Sequence, residues 1–171
     1  QYRTKDIPLK RYGAETTPIK IDDKLYLCTA RNQLVALDAQ TGKQIWRYDP
    51  EVADKDIPYT AACRGVAYYK AVNSSAQQQT DKGVIITGHQ VLDGQKRYAP
   101  SGVIKGFDVQ TGELLWAWDM VKPNISKLPP KGETYTRGTP NMWTSATGDN
   151  DLGLAYLPMG NSSADYWSGS R

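Results

Sequence analysis

The chain has 171 residues, a formal net charge of +3, and 39% hydrophobic against 23% charged residues. This length suits roughly one domain, and the balance of residue types excludes a disordered tail. No apolar run approaches the roughly 18 residues of a membrane span, and the basic residues form no stripe that would bind nucleic acid. A small-molecule ligand is therefore the first expectation.

Residue usage favours strands over helices. Eleven Tyr and five Trp stand against one Phe, and fifteen Gly with ten Pro punctuate the chain. Aromatic residues are enriched in strands, whereas Gly and Pro mark turns. The sequence therefore predicts an all-β fold of short strands.

The first predicted elements are a strand over Leu25 to Thr29 and a hairpin over residues 33–49. In the hairpin, Leu34 to Leu37 form one strand, and a second strand runs to Trp46. The turn between them, Asp38 to Gly42, combines a carboxylate that can accept backbone N–H bonds with a glycine that tolerates positive φ.

The hairpin pattern returns seventy positions later, over residues 103–119, after a strand predicted at Val84 to Thr87. A third copy begins with Leu154 to Leu157. Serial multistranded units are typical of β-propeller blades, whose usual length is about 40 to 45 residues, so the spacing indicates long insertions or a missing piece. The whole chain, 1–171, is predicted to be one partial β-propeller domain. Its repeat units cover about 15–49, 83–119 and, incompletely, 139–171.

The motif A-x-D-x-x-T-G-K-x-x-W over Ala36 to Trp46, with its copy from Gly106 to Trp116, resembles the tryptophan-docking motif of the eight-bladed quinoprotein dehydrogenases. Those enzymes bind pyrroloquinoline quinone (PQQ). Further segments resemble the membrane-bound glucose and quinate dehydrogenase branch. These segments are Glu15 to Lys20, Leu25 to Ala30, Cys63 to Tyr68, Ser101 to Asp108 and Tyr156 to Gly160.

Within this branch, three segments are more similar to quinate (or shikimate) dehydrogenase than to glucose dehydrogenase. They are Gly13 to Pro18, Thr139 to Trp143 and Gly160 to Trp167. The glucose enzymes place a His after Ala30, where this chain has Arg31 followed by Asn32.

The resemblance implies an oxidoreductase that oxidises quinate or shikimate and passes electrons to ubiquinone at the periplasmic face of the bacterial inner membrane. It also implies an N-terminal membrane anchor outside this chain, a catalytic carboxylate after Arg171, and the loss of about one blade near residues 77–82. PQQ-dependent glucose dehydrogenase is the alternative within the enzyme class. A non-catalytic propeller scaffold is the alternative from another class, and cofactor binding would separate the two classes.

The resemblance assigns PQQ contacts to Glu15, Arg31, Arg64 and Trp143. The Arg64 guanidinium offers a planar donor fork that suits the carboxylates of this tricarboxylic quinone, and the Trp143 indole suits stacking beneath its ring. Each residue also has a plainer interpretation. Glu15 would be a solvated loop acid, either arginine a surface residue, and Trp143 a packing residue between blades.

The family binds Ca²⁺ or Mg²⁺ through oxygen ligands, and the ion polarises the quinone carbonyl. The resemblance points to Asp93 and Asn161 as ligands, while Asp93 also fits an ordinary turn. His89, the single histidine, is not expected to take an active role. Cys28 and Cys63 are interpreted as a buried strand residue and a loop thiol, and their spacing leaves open whether they are bonded.

Overall fold

The computed structural model describes residues 2–4, 15–56, 63–70, 83–94, 96–167 and 169. The predicted all-β fold is confirmed, because these residues form ten strands and one short 3₁₀ turn, Asp54–Asp56. Within this part of the chain, no helix has the length and apolar character needed to cross a membrane. The blade predicted to be missing near 77–82 falls outside the described residues.

The first sheet has four antiparallel strands that pair in chain order. They are β1 (Ile19–Ile21), β2 (Lys24–Cys28), β3 (Leu34–Asp38) and β4 (Gln44–Tyr48). The apolar run at the start of β3 is completely buried, as expected for a strand covered on both faces.

The second sheet repeats this topology. It contains β5 (Ala67–Tyr69), β6 (Val84–Thr87), β7 (Ile104–Asp108) and β8 (Leu114–Trp118). The predicted hairpins correspond to β3–β4 and β7–β8, whereas β5 lies upstream of the repeat seen in the sequence. A third unit is a hairpin of β9 (Thr147–Asp149) and β10 (Leu154–Tyr156).

The two repeated turns have the predicted chemistry. In the first turn, Asp38 Oδ1 accepts hydrogen bonds from the backbone N–H of Thr41 and from its hydroxyl, both at 2.6 Å. Asp108 does the same for Thr111 at 2.7 and 3.1 Å. The glycines that close the turns, Gly42 and Gly112, have φ of +71° and +73°. This region of φ favours glycine, which explains the T-G pair in both copies.

Trp46 joins the two sheets. It lies opposite Ala36 in the β3–β4 pairing, and its indole covers Gly112 of the second turn so closely that a methyl group there would overlap it. A second link is the buried Tyr26 hydroxyl, which donates to the Val109 carbonyl at 2.7 Å. The main apolar core therefore lies between the sheets and contains residues of both.

The first strands of the three units lie side by side and run in the same direction. Thr17, before β1, forms a parallel bridge with Gly65, before β5. Gly65 in turn lies against Ser145, before β9, and the Lys70 N–H after β5 donates to Asn150 Oδ1 after β9 at 3.1 Å.

Since these strands are parallel, the segments that precede them meet at one end of the molecule, opposite the Asp38 and Asp108 turns. We call this end the loop face. It comprises residues 15–18, 29–33, 63–66, 88–103, 143–146 and 157–161.

Candidate cofactor site

The loop face contains every site residue that was predicted from the sequence, although the residues are far apart in the chain. The four predicted PQQ contacts are Glu15, Arg31, Arg64 and Trp143, and the two predicted metal ligands are Asp93 and Asn161. The alternation of antiparallel strands explains this placement, because each residue lies in a connection at the same end of a sheet.

Glu15 and Arg64 form an ion pair. Arg64 Nε lies 3.5 Å from Glu15 Oε2, and about half of each side chain is exposed. A backbone hydrogen bond holds the two segments together, since the Thr17 N–H donates to the Arg64 carbonyl at 2.9 Å. The structure thus brings a glutamate and an arginine from different sheets to one accessible position.

A disulfide joins Cys28 to Cys63, with 5.7 Å between their Cα atoms and a sequence separation of 35. Cys28 is the buried strand residue that was expected, but Cys63 is not a free loop thiol, because the bond that the sequence left open is present. The end of β2 and the segment before β5 lie side by side, and only the stacking of the two sheets creates that proximity. One feature of the sequence hinted that the two cysteines lie close together. Each cysteine is within three residues of a predicted cofactor contact, Arg31 or Arg64.

Arg31 lies in the β2–β3 connection and is half-buried. This connection is a tight turn in which the Thr29 N–H donates to the Gln33 carbonyl at 2.8 Å and Asn32 takes φ of +60°. Asn tolerates this left-handed conformation better than most residues. The turn follows Cys28 directly, so Arg31 belongs to the same end of the molecule as Arg64.

Trp143 is 40% exposed, close to the 38% of Trp118 and below the 57% of Trp167. It follows Met142, which forms an antiparallel bridge with Met159, and it lies against Gly160, where a Cβ would be 3.3 Å from the indole. Because Gly160 has no side chain and part of the indole is exposed to solvent, a flat ligand can reach the Trp143 ring. Trp143 is also two residues from Ser145, which contacts Gly65 next to Arg64.

Asp93 is buried in the β6–β7 connection, where its Oδ2 accepts a hydrogen bond from Asn141 Nδ2 at 2.6 Å. Asn141 is completely buried, and its backbone carbonyl accepts from the Gly160 N–H at 2.8 Å. Sequence reasoning did not single out Asn141, although it lies in the same T-P-N-M-W segment as Trp143. Asn141 connects the loop that carries Asp93 to the segments that carry Trp143 and Asn161.

Asn161 is exposed and directly follows Gly160. Among the described residues, no three His, Cys, Asp or Glu side chains form a group that could hold a metal ion. One oxygen of Asp93 is already bonded to Asn141. The assignment of Asp93 and Asn161 as metal ligands stays a prediction.

The donor set around Arg64 fits an anionic planar cofactor such as PQQ. A guanidinium can bind a carboxylate, and an exposed indole can stack on a ring. Both lie on the loop face, and the buried Gly65 beside Arg64 packs against Ser145 of the Trp143 segment.

The sequence matches the family profile of the PQQ β-propeller domain of glucose, ethanol and alcohol dehydrogenases over residues 1–82 and 79–171. It is 37% identical to the glycerol dehydrogenase large subunit of Gluconobacter oxydans (strain 621H), over 94% of this chain and 29% of the relative. It is 33% identical to the quinoprotein glucose dehydrogenase of Escherichia coli (strain K12), over 92% and 27%. Identity to the quinate/shikimate dehydrogenase (quinone) of Acinetobacter baylyi (strain ATCC 33305 / BD413 / ADP1) is 27%, over 93% and 28%.

Among solved structures, a europium-containing methanol dehydrogenase shares the fold with a TM-score of 0.60 at 18% identity, over 86% of this chain and 26% of that one. The chain spans less than a third of the length of each of these proteins. Because the profile covers both sheets and the third hairpin, the chain belongs to the family of PQQ-dependent glucose, ethanol and alcohol dehydrogenases, as part of its β-propeller domain.

Proposed function

We propose that the whole protein is a PQQ-dependent dehydrogenase that oxidises a hydroxyl group of a small polyhydroxylated molecule. The observation that carries this proposal is the convergence of Glu15, Arg64 and the Trp143 segment on the loop face of a propeller of this family. A non-catalytic scaffold would not need an exposed indole and an accessible guanidinium in the same place.

The residues of this chain would bind and orient the cofactor. Arg64 would bind a PQQ carboxylate, and Glu15 would hold the guanidinium in position through the ion pair at Nε. Trp143 would cover one face of the ring, and Arg31 would add positive charge at the same end. When bound, PQQ supplies a two-electron acceptor, and Ca²⁺ or Mg²⁺ beside it would polarise its carbonyl. Asp93 and Asn161 are the proposed oxygen ligands.

Two observations bear on the substrate. Arg31-Asn32 and the segment 160–167 favour quinate or shikimate as the substrate. The sequence identities favour glycerol or glucose, since they are 37% to the glycerol dehydrogenase and 33% to the glucose dehydrogenase, against 27% to the quinate/shikimate dehydrogenase. All of these molecules are polyhydroxylated and carry secondary hydroxyl groups. The proposal is therefore made at that level, with quinate and shikimate as its narrower form.

We further propose that electrons pass to ubiquinone and that the protein works at the periplasmic face of the inner membrane, held by an anchor outside this chain. The name of the Acinetobacter relative specifies a quinone. The Cys28–Cys63 disulfide supports an oxidising compartment, because disulfides persist in the periplasm and are rare in the cytosol.

The test is a titration of the full-length apoprotein with PQQ, with Ca²⁺ or Mg²⁺ present, followed by reduction of a ubiquinone analogue with glycerol, glucose, quinate or shikimate. We expect saturable PQQ binding and turnover of at least one of the four. Arg64→Ala should raise the Kd for PQQ at least tenfold, whereas Lys43→Ala, which removes an exposed cation at the opposite end of the first sheet, should leave it unchanged. Absence of PQQ binding would overturn the proposal and favour the scaffold.

A further inference from the structure

We propose that the Cys28–Cys63 disulfide positions the cofactor-binding arginine, by fixing the Arg64 segment to the first sheet so that Arg64 meets Glu15. Cys28 and Cys63 would act through Arg64 and would not touch the cofactor. The expected effect on PQQ affinity rests on the proposed function. The positioning of Arg64 by the disulfide can be tested without the cofactor.

The disulfide lies where three segments of the loop face meet. Cys63 directly precedes Arg64, and Cys28 Sγ lies 3.6 Å from the Gly65 carbonyl oxygen. On its other side, Cys28 Sγ lies 3.5 Å from Thr16 Oγ1, and the Cys28 N–H donates to that hydroxyl at 3.4 Å. Both cysteines are buried. The disulfide therefore contacts both the segment that carries Glu15 and the segment that carries Arg64.

The polar contacts between the Glu15 and Arg64 segments are modest, although Val66 is buried in the apolar core. Glu15 and Arg64 are about half-exposed, and a surface ion pair of this kind contributes little to holding two segments together. The backbone contribution is a one-residue bridge between Thr17 and Gly65, with the Thr17 N–H bonded to the Arg64 carbonyl. The disulfide is the covalent constraint at this junction, and it links the end of β2 directly to the residue before Arg64.

The first experiment measures amide hydrogen exchange in the apoprotein. The Thr17 N–H reports directly on the Arg64 segment, and the Gly42 N–H, which donates to the Asp38 carbonyl at 2.9 Å, is the internal control at the opposite end of the same sheet. In the Cys28→Ser/Cys63→Ser variant, or in wild type treated with a phosphine reductant, exchange of Thr17 should accelerate at least tenfold while Gly42 stays within twofold. No change at Thr17, or equal acceleration at both amides, would overturn the inference.

The second experiment is a double-mutant cycle on the Kd for PQQ. The double-serine variant should raise the Kd about tenfold, and Arg64→Ala should raise it at least as much. Adding the serines to Arg64→Ala should then cause no further loss, because the disulfide acts through Arg64. Additive effects would contradict the positioning role.

A matched control separates positioning from general destabilisation. Gly42→Ala strains a φ of +71° in the opposite turn and should lower the Tm without changing the Kd by more than twofold. A comparable rise in Kd for Gly42→Ala would show that global stability explains the effect. If wild type itself does not bind PQQ, the proposed function fails, and the exchange experiment still decides the positioning role.

Discussion

Trp143 and Trp118 have nearly the same exposure, 40% and 38%, but different surroundings. Trp118 ends β8, the last strand of the second sheet, whereas Trp143 lies on the loop face against Gly160. We predict that Trp143→Ala weakens PQQ binding by about 1–3 kcal/mol, as expected when a stacking surface is removed. Isothermal titration of the apoprotein measures this change. Trp118→Ala is the matched control, and equal losses in both variants would show that Trp143 does not contact the cofactor.

His89 lies in the β6–β7 connection, half-buried, with Nε2 3.2 Å from the Ser101 carbonyl oxygen. Burial, followed by the positive charge of Lys105, lowers the pKa of His89 from 6.5 to about 4. The folded state therefore disfavours the protonated ring, whereas the unfolded chain accepts the proton near pH 6.5.

We therefore predict that the titration of His89 does not affect stability above pH 6.5 and destabilises the fold increasingly as the pH drops from 6.5 to 4. The loss should reach roughly 1–3 kcal/mol near pH 4. Urea unfolding at several pH values measures it, with His89→Gln as the non-titrating variant. If both proteins lose the same stability over this range, the titration of His89 is not the cause.

At the scale of elements, Asn141 holds two connections together. Its amide donates to the buried Asp93 carboxylate, and its backbone carbonyl receives the Gly160 N–H. We predict that Asn141→Ala lowers the free energy of unfolding by about 2–4 kcal/mol, because it leaves a buried carboxylate without this donor. Thermal unfolding checks the size of the loss. The partial rescue expected in Asn141→Ala/Asp93→Ala tests its cause, and a further additive loss would contradict the explanation.

The two Asp-x-x-Thr-Gly turns have nearly identical conformations but different neighbours. Gly42 has nothing within 4 Å of the position where a Cβ would lie, whereas the same position on Gly112 meets the Trp46 ring at 2.7 Å. Both substitutions to alanine incur the strain of positive φ, on the order of 1 kcal/mol. Only Gly112→Ala also separates the two sheets.

We predict that Gly112→Ala destabilises the protein by about 1–3 kcal/mol more than Gly42→Ala does, which is the usual range for overpacking. In the Trp46→Ala background, which itself should cost about 3–5 kcal/mol, the two substitutions should become equivalent. Equilibrium unfolding of the five variants provides the comparison. A persistent difference without Trp46 would mean that another contact distinguishes the turns.

At the scale of the whole molecule, the arrangement of the strands determines where the site lies. β1, β5 and β9 run in the same direction, so the segments before them converge and the Asp-x-x-Thr-Gly turns lie at the other end. One end of the molecule therefore consists of the two repeated turns, which local hydrogen bonds hold in the same geometry. At the other end, connections of varied length carry the polar and aromatic residues. Function on a repeat scaffold commonly lies in such connections.

The second sheet also bears on the organisation of the chain. Its first strand, β5, precedes residues 71–82 and its other strands follow them, yet the four strands form one continuous sheet. The family profile matches in two parts that overlap at residues 79–82, and the alignment to the Gluconobacter subunit runs over 216 positions, more than the length of this chain. The alignment therefore includes residues of the relative that have no counterpart in this chain, and the predicted loss of about one blade near residues 77–82 stays a prediction.

The sequence by itself determined the elements whose interactions are local. The predicted strands near residues 34, 84 and 104 and both hairpins are confirmed, because a short apolar run followed by an Asp-x-x-Thr-Gly turn specifies a hairpin within about ten residues. The resemblance of their segments to a known family also assigned Arg64 and Trp143 to a cofactor site, and that assignment stays a prediction.

Only the tertiary structure decided which distant residues meet. The disulfide, the Glu15–Arg64 pair and the Asn141–Asp93 bond join residues that are 35 to 49 positions apart or that lie in different sheets. A periodic sequence pattern does not identify these partners. They come close together only because the two sheets stack at Trp46 and the first strands of the units run parallel. For the same reason, the separate positions of Cys28 and Cys63 left open whether they are bonded, whereas the local turns were predicted correctly.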